Sequence, residues 1–280
     1  MNNKLYIHEF DYISRICKTY ENYEIPIISL PIAQGVILSK LQCPSNSEEI
    51  PEIEKLPSRN LIGCLAYIAD RSRPDISYTI NILSQFQSNP GISHWNALLK
   101  VLGYVSSTRN KKLELSQINE FKINCYSDAS FASNRDDRTS MGGMILFIDK
   151  SPILWKTNKQ KCVSLSTLES EYIALTQATK ELIWIIRICN ECDKLKLFKV
   201  NKDNCTLYCD NIAAIDFTKS PIENSRELNI HIRYHFLRNL VYEEMFILKH
   251  INGEINPADV FTKALPKVKL EEFNKNIFRD

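Results

Sequence analysis

No stretch of the 280-residue chain approaches the ~20 consecutive apolar residues of a membrane-spanning helix, so no membrane role is expected. Neither sign of charge is in excess. Lys and Arg number 35 against 33 Asp and Glu, and a net charge of +2 excludes a basic coat for nucleic acid. Any polyanion must therefore be met by local patches. The N-terminus, Met1 through Phe10, mixes charged with apolar residues and lacks the continuous hydrophobic run of a signal peptide. The nine cysteines lack the even count of a secreted disulfide framework, and a chain this long needs no staples to hold a core. Free thiols in a reducing intracellular compartment, cytoplasmic or nuclear, are the expectation. What the chain does have is apolar material: 44% of its residues are hydrophobic and 24% charged, which suits a packed interior and argues against disorder.

The patterning suggests three segments. Residues 1–55 carry one amphipathic stretch, Tyr12 to Tyr20, followed by Pro-rich and polar chain, which reads as a helix plus irregular structure. Residues 56–117 show helical spacing in Leu61, Ile62, Leu65 and Ile68, again after Pro74, and again from His94 to Tyr104, so a small helical region is expected. From 118 to 280 the period alternates at first: a strand through Phe121, Ile123 and Cys125, a hairpin from Gly142 to Lys156, and a short strand near Cys162–Leu165. Ser166 and Glu169 form a capping box that opens a long helix. Then come a strand at Thr206–Cys209, helical chain from Ile212 and from about Ile230, and a strand at Met245–Ile251. Asn256-Pro257 is expected to open a terminal helix.

Acidic residues sit at the junctions of these elements. Asp128 ends the first strand of the third segment, Asp210 ends the fourth, and Asp259 lies in the first turn after Asn256. Mixed sheets place their sites at such strand ends. A fourth acid must be chosen between Glu169 and Glu171. Glu169 belongs to the capping box, whereas Glu171 lies beside Leu168, Leu175 and Ala178 at the edge of the sheet-facing stripe, which favours Glu171. Gathered carboxylates repel one another, so such a site either raises their pKa values or holds divalent cations, and oxygen ligands suit magnesium or manganese. Two such ions can support phosphodiester cleavage. The alternative from spacing alone is that these acids are turn, cap and surface residues.

The motifs, in order, resemble a known family. Tyr126-Ser127-Asp128-Ala129-Ser130, Asp136-Asp137-Arg138-Thr139-Ser140, Trp155-Lys156, Ser166 through Leu175, Cys209-Asp210-Asn211 and Asn256 through Lys263 are similar to the ribonuclease H domain of copia-type LTR retrotransposon Pol polyproteins. Upstream, Leu61 through Ile68, Arg73-Pro74-Asp75-Ile76 and His94-Trp95 resemble the segment that links the reverse transcriptase palm to that domain, and residues 1–55 resemble a partial reverse-transcriptase remnant. The resemblance implies an α/β fold, a ribonuclease H-like mixed five-stranded sheet flanked by helices, preceded by a small helical, thumb- or connection-like region. It also implies an endonuclease that cuts the RNA strand of RNA:DNA hybrids with two Mg2+ ions, Mn2+ being an alternative. On it, Asp128 bridges both metals, Glu171 and Asp210 hold one, Asp259 holds the other, and His250 assists proton transfer or product release. The polymerase palm and its paired aspartates are not found, so the chain is expected not to polymerise DNA and reads as a truncated C-terminal fragment. A separate reverse transcriptase subunit is then the expected partner. The family's Lys-His-Ile-Asp is replaced by Leu228-Asn229-Ile230-His231. A catalytically inactive relic that binds nucleic acid or a protein partner is the competing reading.

Trp155, Lys156, Lys159, Gln160 and Lys161 cluster cations near an aromatic and form a candidate hybrid-contacting patch, with Asn211 beside the site; a solvated loop is the plainer account. Cys189-x-x-Cys192 with Cys205 and Cys209 could suggest zinc, but their place on buried faces favours core thiols. His231 and His235 share a helical face without a third ligand.

Overall fold

The structure is a computed structural model that describes residues 4–45, 53, 55–195, 204–219 and 231–279. The altered segment at 228–231 falls almost wholly outside them, as does part of the polar passage between Pro26 and Pro51. Two compact units result: a helical one (residues 5–115, 135–137 and 263–280) and a sheet-centred one (residues 116–134 and 138–262, with the N-terminal four). Among the described residues no helix is long and apolar enough to cross a membrane. All nine cysteines are free.

The helical unit begins with β1 (Leu5–Ile7) and α1 (Phe10–Thr19) and continues through α2 (Ser58–Arg71), α3 (Ser77–Ser84), α4 (Ile92–Ser107) and β2 (Lys112–Leu115). Leu61, Leu65 and Ile68 recur along one side of α2 and are fully buried, as Leu98 and Leu102 are on α4, so the helical spacing maps directly onto this core. At its centre lies a charged pair. The Arg73 guanidinium donates from Nε and Nη2 to the two oxygens of Asp75 (2.9 and 2.8 Å), and also to the carbonyl and hydroxyl of Thr108 (3.2 and 2.7 Å). The Tyr104 hydroxyl donates to Asp75 Oδ2 (2.7 Å) and accepts from Asn274 Nδ2 (3.1 Å). Burial alone would raise the Asp75 carboxyl, but the adjoining guanidinium reverses the direction and holds it below the usual carboxylate range.

The sheet unit is built on β3 (Ile123–Ser130), β4 (Met141–Ile148), β5 (Ser151–Lys159), β6 (Cys205–Cys209) and β7 (Ile247–His250), in the order β5-β4-β3-β6-β7. The first three strands run antiparallel as a meander, and β6 and β7 then join parallel to β3. The long helix α5 (Thr167–Lys194) covers one face, where Leu175, Ala178, Leu182 and Ile186 pack on Ile123, Cys125, Leu146 and Leu207. Two further helices follow, α6 (Ile212–Lys219) and α7 (His231–Tyr242). Pro152 is accommodated in β5 because this is the edge strand, with a register shift in β4 opposite it.

Three expectations need correction. The short strand near Cys162–Leu165 does not form: buried Gln160 bonds Ser164 and the Ser170 carbonyl and ties the segment to the start of α5, leaving Leu165 85% exposed. Asn256-Pro257 opens a single 3-10 turn, Pro257–Phe261, and the terminal helix α8 (Lys267–Ile277) starts only after Pro266, whose ring disfavours helical geometry in the residue before it. The chain from Lys263 onward groups with the helical unit and not with the 118–280 segment, because α8 supplies Asn274 to the Tyr104 network and β8 (Phe278–Arg279) pairs with β2.

Asp149, in the β4–β5 turn, adopts a left-handed φ of 52°. Its carboxylate accepts from the backbone N–H groups of Asn119 (2.7 Å), Glu120 (3.3 Å) and Lys122 (2.9 Å), which fastens the entry to β3. Burial would raise this carboxyl, but these donors outweigh it and lower its pKa. A lowered folded-state pKa contributes stability above the unfolded value of ~3.9 that is lost as pH falls through the folded one. Asp149→Asn, which tolerates the same φ, is therefore expected to destabilise the protein by about 1 kcal/mol after solvent screening at pH 7 and by progressively less as pH falls below the unfolded value, measured by denaturant unfolding. In the helical unit, Asp75→Ala strands a buried guanidinium and is expected to cost about 3–5 kcal/mol in the same experiment.

Candidate metal centre

Parallel pairing of β3 with β6 sets the geometry of the site. Ser127 lies opposite Cys209, so the next residue on each chain, Asp128 and Asp210, emerges side by side at the C-terminal end of the sheet. Asp128 is still inside β3, paired with Gly143 of β4, and Asp210 is the first residue beyond β6. Asp259 is brought to them by the 3-10 turn, which Asn256 fixes in two ways. Its Oδ1 accepts from Ala258 N (3.1 Å) as the cap, and its Nδ2 donates to the Ser127 carbonyl (3.0 Å), pinning the turn to β3 next to Asp128. Ligand oxygens of Asp128, Asp210 and Asp259 all lie within 4.8 Å of one another.

Glu171 enters from α5. Ser166 Oγ accepts from Glu169 N (3.1 Å), and Glu169 turns back so that its Oε2 accepts from Leu165 N (2.7 Å). Glu169 is thus occupied in starting the helix, while Glu171, two residues on, points to the other side. There it forms a second cluster within 4.8 Å with Asp210 and the Cys209 thiol. Asp210 is the member common to both clusters, where the resemblance implied Asp128 as the shared carboxylate. Thr262, a fully buried residue, donates from its hydroxyl to Asp128 Oδ2.

Glu171, Asp128 and Asp259 are all buried, and Asp210 is half-buried. Three or four carboxylates so placed present hard oxygens over a span close to the ~4 Å across one cation with ~2.1 Å bonds, so the residues fit magnesium or manganese. Burial first, and then the Glu171 charge, push the Cys209 thiol pKa up. Cys189 and Cys205 are likewise buried core thiols, and among the described residues no cluster of cysteine and histidine gathers for zinc.

The remaining candidates are distributed as follows. His250 ends β7 opposite Cys209, exposed, with its Nε2 3.2 Å from the Asp210 carbonyl oxygen, so it stands at the rim of the cluster. Asn211 caps α6, its Oδ1 accepting from Ala214 N (2.9 Å). Trp155 and Lys159 are half-buried on β5, and Lys161 is exposed. Lys156 pairs with Glu181 of α5 (2.6 Å). Gln160 does not belong to a nucleic-acid face: it is buried, its Nε2 donating to the Ser170 carbonyl (2.8 Å) and its Oε1 accepting from Ser164 Oγ (3.1 Å), which ties the 160–166 turn to α5. Sequence reasoning quoted Asn256 and Thr262 without giving them site roles, and it missed Gly143 and Gly253. A Cβ on Gly143 would lie 2.6 Å from Phe261 Cβ and 2.7 Å from Thr262 Cγ2, so the turn carrying Asp259 can close on β4 only over a glycine. At Gly253 a Cβ would reach 3.0 Å from Asp210 Oδ2.

No protein-family model matches the chain. It is similar to the retrovirus-related Pol polyprotein from transposon TNT 1-94 of Nicotiana tabacum, 33% identical over 96% of this chain and 20% of that protein. It is also similar to the retrovirus-related Pol polyprotein from transposon RE2 of Arabidopsis thaliana, 35% identical over 80% of this chain and 15% of that protein. The chain therefore spans a fifth or less of the length of these relatives. Among solved structures it is similar to LC11-RNase H1 in complex with an RNA/DNA hybrid, with 15% identity and a TM-score of 0.36 over 50% of this chain and 94% of that one. The sheet itself, three antiparallel strands extended by two parallel ones and covered by helices, is the ribonuclease H-like arrangement. Homologous over most of its length to a segment of them, the chain belongs with the retrovirus-related Pol polyproteins of copia-type transposons.

Proposed function

We propose that the sheet unit is a metal-dependent endonuclease that cuts the RNA strand of RNA:DNA hybrids. The observation that carries this reading is the convergence of Asp128, Asp210 and Asp259, with Glu171 joined through Asp210, at one end of a ribonuclease H-like sheet. Like charges held this close destabilise one another until protons or cations compensate. Asp128, Asp210 and Asp259 would hold one divalent cation, and Glu171 with Asp210 a second. When bound, Mg2+ or Mn2+ lowers the pKa of a water and stabilises charge on the leaving oxygen of a phosphodiester.

The chain's own residues supply the rest. Asn256 and Thr262 fix the carboxylates before substrate arrives, which lowers the reorganisation needed during reaction. His250, exposed at the rim, is placed to carry a proton to or from the reacting groups. Lys161, Lys159 and Trp155 would meet the hybrid backbone, where clustered cations attract phosphate and an aromatic packs on sugar. Lys156 takes part only when it leaves Glu181. A reverse transcriptase is the partner we propose, because Pol polyproteins are the relatives of this chain.

Purified protein is expected to cleave an end-labelled RNA:DNA hybrid in Mg2+ and to leave matching single-stranded RNA intact. Asp210→Asn is expected to reduce the rate by at least about 100-fold, equivalent to ~3 kcal/mol of transition-state stabilisation. No cutting by a folded protein in Mg2+ or Mn2+ would instead favour a non-catalytic binding module. Thr262→Val keeps the shape but removes the donor to a buried carboxylate oxygen, so it is expected to cost about 1–3 kcal/mol in urea unfolding, against under about 1 kcal/mol for Thr262→Ser. Equal effects of Val and Ser would remove the hydroxyl from the account.

A further inference from the structure

The helical unit contains a cavity of about 1410 Å³ that the proposed chemistry does not use, and every residue lining it belongs to that unit. One wall is α4, where Ser93, Ala97, Lys100 and Tyr104 recur at three- and four-residue steps and form one stripe along the helix. The facing wall is α8, through Lys267, Leu270 and Asn274, and the two walls meet where Asn274 donates to the Tyr104 hydroxyl. The third side is the extended chain 27–38, presenting Ile28, Leu30, Ile32 and Val36, and it is tied to α4 by Ser107 Oγ donating to the Ile28 carbonyl (3.2 Å).

Size, surface and charge each narrow the occupant. The volume exceeds the ~300–1,000 Å³ of ordinary small-molecule sites. The 16-residue α4 gives the groove a length of about 24 Å at 1.5 Å per residue, which matches a helix of similar length. The surface is largely aliphatic, and the rings that line it, Tyr104 and Phe278, are only 2% and 4% exposed, so no face is offered for stacking a base. The rim carries five cations, Lys100, Lys111, Lys267, Lys275 and Arg279, against one acid, Glu271. Arg279 bonds Glu114 (2.8 Å), Lys267 lies 3.8 Å from Glu271, and Lys111 sits over the Phe278 ring. Lys100 and Lys275 then stand on opposite walls as the positions that meet an incoming anion.

We propose that this groove docks an acidic amphipathic helix of a separate polypeptide, with its apolar side against the 27–38 chain and Leu270 and its carboxylates toward Lys100 and Lys275. Such a helix uses anchors at i, i+3, i+4 and i+7, the spacing that the walls themselves follow. Complementary charge fixes its direction and speeds its arrival.

The probe is a fluorescein-labelled peptide of about 16 residues with Leu at helical spacing and Glu and Ala elsewhere, titrated with the full chain and followed by fluorescence anisotropy. Saturable binding is expected, at least about tenfold weaker for a scrambled peptide of the same composition. The double variant Lys100→Glu/Lys275→Glu is expected to weaken it by at least about tenfold as well. Ala97→Trp, which fills the groove from a half-buried position, should abolish binding while circular dichroism shows a folded protein. Absence of saturable binding, equal binding of the scrambled peptide, or indifference to both variants would overturn the proposal. So would a labelled RNA:DNA hybrid that binds and is lost in the double variant while the peptide fails to bind, since that assigns the groove to nucleic acid. None of these readouts involves cleavage, so the proposal stands or falls independently of the nuclease reading.

Discussion

The parallel contact between β3 and β6 is the constraint on which the sheet unit depends. An antiparallel neighbour would have put Asp210 at the far end of the strand from Asp128; a parallel one in this register puts them side by side. Two carboxylates at that spacing repel each other, and a third and fourth add to the cost. The fold offsets this with bonds that position the acids: Asn256 to the Ser127 carbonyl, Thr262 to Asp128, and Gly143 beneath the turn. Together they tie the 256–262 turn to both β3 and β4, so the site forms only when these segments come together.

The helical unit meets a related problem with the opposite solution. A guanidinium and a carboxylate are removed from water together, and all three guanidinium nitrogens of Arg73 and both oxygens of Asp75 find partners at 2.7–3.2 Å. Burial of such a pair is tolerable only because it is this fully bonded. The carboxylate cluster instead gathers like charges, and such a gathering favours a bound cation.

Much of this was legible in the residues. Alternation marked β3, helical spacing marked α2 through α4, and the Ser166–Glu169 box marked the start of α5. The same box bears on the choice of acid: Glu169 bonds the Leu165 N–H, and Glu171 is the one that lies near Asp210. Edges and loops were harder to read. Cys162–Leu165 has the composition of a strand, but the segment is drawn to the start of α5 by Gln160, which bonds Ser164 and the Ser170 carbonyl. Gln160 has the composition of a phosphate contact, but its amide is engaged by Ser170 and Ser164.

By itself the sequence determined most of the helices and strands around the site, and it placed Asp128, Asp210 and Asp259 at element ends and Glu171 near the start of α5, because periodicity, caps and turn residues act within a few positions of one another. Only the tertiary structure decided that these acids, spread over 131 residues from Asp128 to Asp259, converge, that Asp210 is the one held in common, and that α8 leaves the sheet for the helical unit. Those outcomes rest on strand direction, register and a glycine-sized gap at Gly143, which arise between segments and leave no local pattern in the chain.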